Sequence, residues 1–207
     1  MNIGKAIKLP PPKTKGQMSL EEAIAGRSSV REYSTDALSV VHLSQLLWAA
    51  QGITHGDRFR AAPSSGATYP LELFVVAGRV EGLEAGIYSY DVLNHSLHLH
   101  MEGEQSQKLL EASSFKQDFI AQAPADIVVC AVYERTTGFY GERGVRYVHM
   151  DAGHAAENIA LQAVALGLGT VMVGAFDDDA VSTAMCLPEE LAPLYIIPVG
   201  KQASPNV

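Results

Sequence analysis

Residues 151–173 read Asp-Ala-Gly-His-Ala-Ala-Glu-Asn-Ile-Ala-Leu-Gln-Ala-Val-Ala-Leu-Gly-Leu-Gly-Thr-Val-Met-Val. Asp151 has the chemistry of an N-cap, and the spacing predicts a helix from there to about Leu166. Ile159, Ala160, Leu161, Ala163, Val164 and Leu166 put apolar side chains on nearly every face. A helix apolar on most sides is a central, buried one. Gly167 and Gly169 end it, and residues 170–173 read as a strand.

Upstream, residues 125–133 read as a buried strand and residues 104–122 as two helices. Residues 86–90 and 96–101 read as a hairpin turning across residues 91–95, and residues 71–77 as a strand. Residues 39–51 carry Val40, Leu43, Leu46, Leu47 and Ala50 at helical spacing, with Gly52 at the end. Ser19 with Glu22 three residues on has the form of a capping box, opening a short helix that Gly26 closes as a C′ residue. Downstream, residues 177–185 read as a helix stopped before Pro188, and residues 194–199 as a last strand. Helices and strands alternate irregularly around a hairpin, which favours α+β over a doubly wound parallel sheet. Residues 1–18 hold Pro10-Pro11-Pro12 and four lysines and read as an extended N-terminal arm. Residues 19–207 then form one domain.

The chain has 207 residues, 15 basic and 23 acidic, for a net charge of −8. That length buries a real core, and the acidic balance argues against a nucleic-acid binder. Cys130 and Cys186 lie far apart, without metal-ligand spacing, so neither a disulfide scaffold nor a zinc site is expected. The stretch before Met18 lacks an apolar signal core, and no apolar run approaches the ~20 residues of a membrane span. The expectation is a cytoplasmic protein with no membrane or nucleic-acid partner.

Three loops carry candidate chemistry. In Arg27-Ser28-Ser29-Val30-Arg31, an extended backbone would put Arg27, Ser29 and Arg31 on one side, two guanidinium forks and a hydroxyl suited to one phosphate. Surface arginines on a solvated loop fit the same residues. Pro63-Ser64-Ser65-Gly66, running on to Tyr69-Pro70, has small residues that admit a flat ligand and serines that can bond its edge, or it is simply a turn-rich loop. Gly174-Ala175-Phe176 turns a strand end into the acidic start of a helix, where an exposed amide can donate to a ligand. A plain connection has the same composition. Other patterns are weaker. His95, His98 and His100 lack a completing carboxylate or cysteine motif, and His149 and His154 stand five apart. Ser64 and Ser65 have no Gly-x-Ser-x-Gly elbow, and no Gly-x-Gly-x-x-Gly follows a strand. The macrodipole alone accounts for Asp177-Asp178-Asp179.

These loops, taken in order with Leu46-Leu47-Trp48-Ala49-Ala50-Gln51-Gly52, Gly86-Ile87-Tyr88, Asp151-Ala152-Gly153-His154, Asn158, Gly167-Leu168-Gly169 and Pro198-Val199-Gly200-Lys201, resemble the nitroreductase superfamily of FMN flavoproteins. Within it, the likeness is to SagB-type, thiazoline/oxazoline oxidase-like dehydrogenases. It extends from about Lys8 to Lys201. The resemblance implies an α+β fold with a central mixed or antiparallel sheet flanked by helices, a long buried central helix, and an intertwined homodimer with FMN at the interface. It places Arg27, Ser28, Ser29, Arg31 and Lys201 at the FMN phosphate. Pro63, Ser64, Ser65 and Gly66 of the other subunit would line the ring. Gly174 and Ala175, the catalytic pair, would offer amides to flavin O4 and N5. This chain departs from many family members in having Ala67 for an asparagine and Gly174 for a glutamate. Arg60 is the candidate cation for flavin N1 and O2. No metal is implied.

The activity implied is FMN-dependent transfer of hydride from NADH or NADPH to a small organic electron acceptor in ping-pong fashion, with specificity in residues 136–144, where Phe139, Tyr140 and Arg143 would roof the flavin. Two alternatives stay open. One is a SagB-type azoline-to-azole oxidase acting on a modified peptide, for which Tyr69, Tyr140 and Tyr147 are the candidate tyrosines but no lysine–tyrosine pair is identified. The other is a non-catalytic flavin-binding storage or sensor protein.

Overall fold

The computed structural model describes residues 6–113 and 117–203. Seven strands form one sheet: β1 (Ile7–Lys8), β4 (Leu71–Ala77), β5 (Gly86–Asp91), β6 (Ser96–Glu102), β7 (Ala125–Ala131), β8 (Gly169–Thr170) and β9 (Ala192–Gly200). Their order is β1-β6-β5-β4-β7-β9-β8, and every neighbouring pair is antiparallel. A separate ribbon pairs β2 (Ile53–His55) with β3 (Phe59–Arg60).

All seven residues of β7 are buried, as expected for a strand covered on both faces. The two-residue period of the pleat divides the core accordingly. Leu73, Val75, Ile127 and Val129 face one cluster, with Leu43, Leu46 and Leu47 of α2 (Val40–Gln51) and Ala155, Ala156 and Ile159 of α6 (Arg143–Ala165). Phe74, Val76, Val128 and Cys130 face the other. That cluster includes Leu109 of α3 (Ser106–Ala112), Ile120 of α4 (Phe119–Gln122), and Val181 and Met185 of α7 (Asp178–Met185). The fold is the α+β architecture expected. Among the described residues no helix is long and apolar enough to cross a membrane.

Local chemistry sets most element ends. The Ser19 box is reciprocal: its Oγ accepts from the Glu22 amide, and the Glu22 carboxylate accepts from the Ser19 amide, opening α1 (Leu20–Gly26). Ser39 and Asp177 cap α2 and α7. Residues 7–13 do not hang free. β1 pairs with β6, Leu9 is buried, and Pro10 O accepts from Ser44 Oγ at 2.6 Å.

Three expectations change. Helix α6 begins at Arg143, two turns before Asp151, so Asp151 is not an N-cap but a buried carboxylate in mid-helix. Residues 143–150 show a solvent-facing pattern, yet α5 (Glu134–Tyr140) crosses them closely. A Cβ at Gly144 would come within 2.8 Å of the Thr137 backbone. Gly26 is not a left-handed C′ residue either. It ends α1 within the helix, and its missing side chain lets α1 approach α6, where a Cβ would meet Val164 Cγ1 at 3.1 Å. The predicted strand over residues 170–173 shortens to β8 plus a bridge from Val173 to Ile196.

Asp126, in register between Val76 and Pro198, is completely buried, and neither carboxylate oxygen has a hydrogen-bond partner among the described residues. Burial pushes its pKa well above the carboxylate range, and the Glu104 charge adds in the same direction. The folded chain therefore keeps a proton that the unfolded chain gives up near pH 4. The associated stability is complete below that value and is lost as pH rises through the folded pKa. Asp126→Asn is expected to raise Tm by several degrees at pH 8, with the gain vanishing toward pH 4. A Tm at pH 8 equal to or below the wild-type value would contradict this.

Candidate functional site

The arginine loop is an extended strip laid along the sheet edge. Ser29 forms a parallel bridge with Thr170, and the Val30 amide donates to Thr170 O at 3.0 Å. Val30 is buried against Gly169, where a Cβ would lie 2.6 Å from the valine. Alternation then turns Arg27, Ser29 and Arg31 to the opposite, exposed side. Ser28 goes with Val30 instead and lines a cavity of about 240 Å³ with Ala160, Val164 and Gly167. The Tyr33 hydroxyl holds the strip down, lying 2.9 Å from Val30 O and 3.1 Å from Pro198 O.

Lys201 joins this strip through the backbone. The Ser34 amide donates to Lys201 O, the Ala203 amide donates to Glu32 O, and Tyr33 bridges Gln202. Its ammonium pairs with Asp36 at 3.2 Å. Arg31 stands 6.0 Å over the Phe119 ring, and Arg27 has no hydrogen bond or ion pair among the described residues.

Gly174 and Ala175 lie at the other end of the same edge. Val173 and Ile196 exchange both backbone hydrogen bonds, after which the chain leaves the sheet. The Ala175 carbonyl accepts from Gln117 Nε2 at 3.1 Å. The Gly174 and Ala175 amides are exposed and have no acceptor among the described residues. Two adjacent donors on an ordered backbone there face solvent and are open to a ligand.

The serine loop feeds β4. Residues Ser65–Ala67 form a 3-10 turn with Gly66 at φ +62°, Ala67 at +52° and Tyr69 at +47°. Its hydroxyls hold the loop itself. Ser64 Oγ accepts from the Tyr69 amide at 2.9 Å, and Ser65 donates to the Asp151 carboxylate through its amide at 3.2 Å and its hydroxyl at 3.4 Å. Pro63 is exposed beside them. A Cβ at Gly66 would come within 2.5 Å of the Tyr140 hydroxyl, so the predicted roof segment rests on this loop. Arg60 stacks 4.8 Å over Tyr69 and reaches Gln51 Oε1 at 3.5 Å. Among the described residues its Nε has no partner, and burial lowers its pKa.

The three loops do not converge within one chain. Residues 26 and 65 touch α6 at Val164 and Asp151, thirteen residues or about 20 Å apart along the helix axis. Gly174 follows β8, and the serine loop enters the sheet at β4, three strand spacings or about 14 Å inward.

Two functional features escaped the sequence. Asp151 as the anchor of Ser65 is a contact across 86 positions with no local signal. A Tyr133–His149 pair, hydroxyl to Nε2 at 2.6 Å, stands beside α5. The histidines weighed as metal ligands are otherwise engaged: His98 with Asp91 at 3.6 Å, and His100 with Met185 O at 2.8 Å.

The nitroreductase family model matches residues 24–201. The chain belongs to the nitroreductase family. A nitroreductase-family protein of Methanocaldococcus jannaschii is 45% identical over 186 residues, 90% of this chain and 92% of that one. The crystal structure of a nitroreductase-family protein from Ralstonia eutropha superposes with a TM-score of 0.81 at 31% identity, covering 96% of this chain and 90% of that one. The microcin B17-processing protein McbC of Escherichia coli is 27% identical over 146 residues, 68% of this chain and 54% of that one. The protein is thus a nitroreductase-family oxidoreductase with the family's fold.

Removing the Asp151 anchor takes two hydrogen bonds to a carboxylate away from half-buried Ser65, a loss of about 1–3 kcal/mol. Asp151→Ala is expected to lower Tm by several degrees and to expose residues 63–70 to faster amide exchange. Unchanged exchange in that loop would contradict the anchoring role.

Proposed function

We propose that this nitroreductase-family protein binds FMN and uses it to pass reducing equivalents from NADH or NADPH to a small organic acceptor. The observation that carries the reading is the pair of unpartnered amides at Gly174 and Ala175, on the same sheet edge as the exposed side of the arginine strip. Four residues separate Thr170 from Gly174, about 13 Å of extended chain. An elongated ligand with an anionic group at one end and an electron-rich polar edge at the other fits that layout. Bound FMN supplies hydride acceptance and donation at N5.

The chain's own residues then have defined tasks. Arg27, Ser29 and Arg31 hold the phosphate by charge-assisted hydrogen bonds, with Lys201 joining by releasing Asp36. The amides of Gly174 and Ala175 fix the ring edge and stabilise charge that builds there on reduction. Ser28 has turned away and takes part only through its backbone. Pro63, Ser64, Ser65 and Gly66 line the ring from a second copy of the chain, because the same chain's serine loop lies too far inward. Their contribution is a flat backbone surface, since both serine hydroxyls are committed to the loop. Arg60, stacked over Tyr69 in the serine loop, is the reserve cation for the far side of the ring.

Similarity to McbC favours the azoline-oxidase reading as the one rival. Anaerobic addition of NADH or NADPH to the purified yellow protein is expected to bleach it within seconds. Stable colour with both donors, followed by bleaching with an azoline peptide, supports the oxidase. No reduction by any donor supports a non-catalytic flavin binder. Arg27→Ala with Arg31→Ala is expected to lower bound FMN at least tenfold. Full flavin content in that double variant would contradict the phosphate assignment.

A further inference from the structure

The exposed face of the first turns of α6 carries Arg143, Arg146 and His149. Spaced by three, they stack as one stripe, with neighbouring Cβ atoms about 5–6 Å apart. With Glu142 and Val145 they line a groove of about 450 Å³. Neither guanidinium has an ion pair or hydrogen bond among the described residues. Arg143 stands 5.8 Å over the Tyr147 ring. Glu142 is the single acid in the lining, although the chain as a whole is acidic by eight charges. Two adjacent unpaired arginines repel one another, and an anion between them removes that cost.

His149 adds a polar ring. The Tyr133 hydroxyl lies 2.6 Å from its Nε2, which fixes the imidazole at the edge of the groove. The groove is also continuous with an aromatic ledge. Arg143 touches Tyr147, Tyr147 meets Tyr140 edge to face at 5.2 Å, and Tyr140 meets Phe139 at 5.2 Å. Phe139 is 78% exposed, and beyond its contact with Tyr140 it offers a flat apolar surface to solvent. Tyr140 in turn rests on Gly66, so the ledge begins at the serine loop.

We propose that this groove seats the 2′-phosphate of NADPH, with the adenine against Phe139, and that the protein prefers NADPH to NADH. The inference rests on the hydride-donor reading above and names its substrate. A phosphate monoester carries nearly two charges at neutral pH, matched by two guanidinium forks. Each phosphate of the linking diphosphate carries one charge and lies closer to the nicotinamide end. An exposed aromatic ring beside cations is a stacking surface for a base.

The test uses the purified flavoprotein and two probes that transfer no electrons, adenosine 2′,5′-bisphosphate and ADP, in calorimetric titrations. The bisphosphate is expected to bind at least tenfold more tightly than ADP. Arg143→Gln with Arg146→Gln, both at exposed positions, is expected to erase that difference. The NADPH-over-NADH ratio of kcat/KM is expected to fall tenfold or more in the same variant. Equal binding of the two probes by the wild type overturns the proposal, and so does an unchanged ratio in the double variant. Arginine-dependent bisphosphate binding in a protein whose flavin neither nucleotide reduces supports the phosphate groove and counts against nicotinamide as the donor, so the two readings fail separately.

Discussion

Burial of α6 between the sheet and α2 is the constraint on which the rest of the molecule depends. Ala152, Ala155, Ala156, Ala160 and Ala163 keep its inner face low, so the strand leucines and valines and the leucines of α2 close directly on it. Its 23 residues span about 35 Å. Two of the three candidate loops take their position from that rod, while Gly174 and Ala175 take theirs from the Val173–Ile196 pair. α1 and the start of the arginine strip sit at Val164, the serine loop is tied down at Asp151, and the cationic groove opens where the helix begins. A helix this long holds its attachments apart as firmly as it holds them in place. The chain therefore presents the parts of a site without closing one.

What could be read from the sequence was set by local chemistry. The Ser19 box, the Asp177 cap and the hairpin at residues 86–102 depend on neighbours a few positions away, and each forms as expected. The apolar run of residues 127–131 in β7 announced a covered strand. Asp151 shows where such reasoning stops. An acid ahead of an apolar run looks like a cap, and only the folded chain shows that its acceptors are spent on Ser65. Gly26 misleads in the same way. Glycine at a helix end suggests a left-handed turn, but here the missing Cβ serves close packing against Val164.

The site divides similarly. Alternation alone separated Arg27, Ser29 and Arg31 from Val30, and the sheet edge preserves that separation. The same rule sends Ser28 to the side of Val30, where it lines the cavity beside α6. The roles of Gly174 and Ala175 came from the resemblance rather than from composition. Their physical basis, two exposed amides left without acceptors, becomes visible only once Val173 and Ile196 have taken the neighbouring bonds. The charge pattern is equally selective. Arg135 is matched to Glu72 and Lys201 to Asp36, while among the described residues Arg27, Arg143 and Arg146 have no ion pair, in an acidic chain. Unmatched arginines are what an anionic ligand needs.

The central claim is that one flavin site takes its arginine strip from one chain and its serine loop from another. Co-purified mixed dimers test it most directly, pairing an Arg27→Ala/Arg31→Ala chain with a chain whose serine loop is blocked by Gly66→Trp. Neither variant binds flavin as a homodimer on this account. The mixed dimer combines the sound halves and should hold one FMN per two chains. A colourless mixed dimer would mean that each chain builds its site alone.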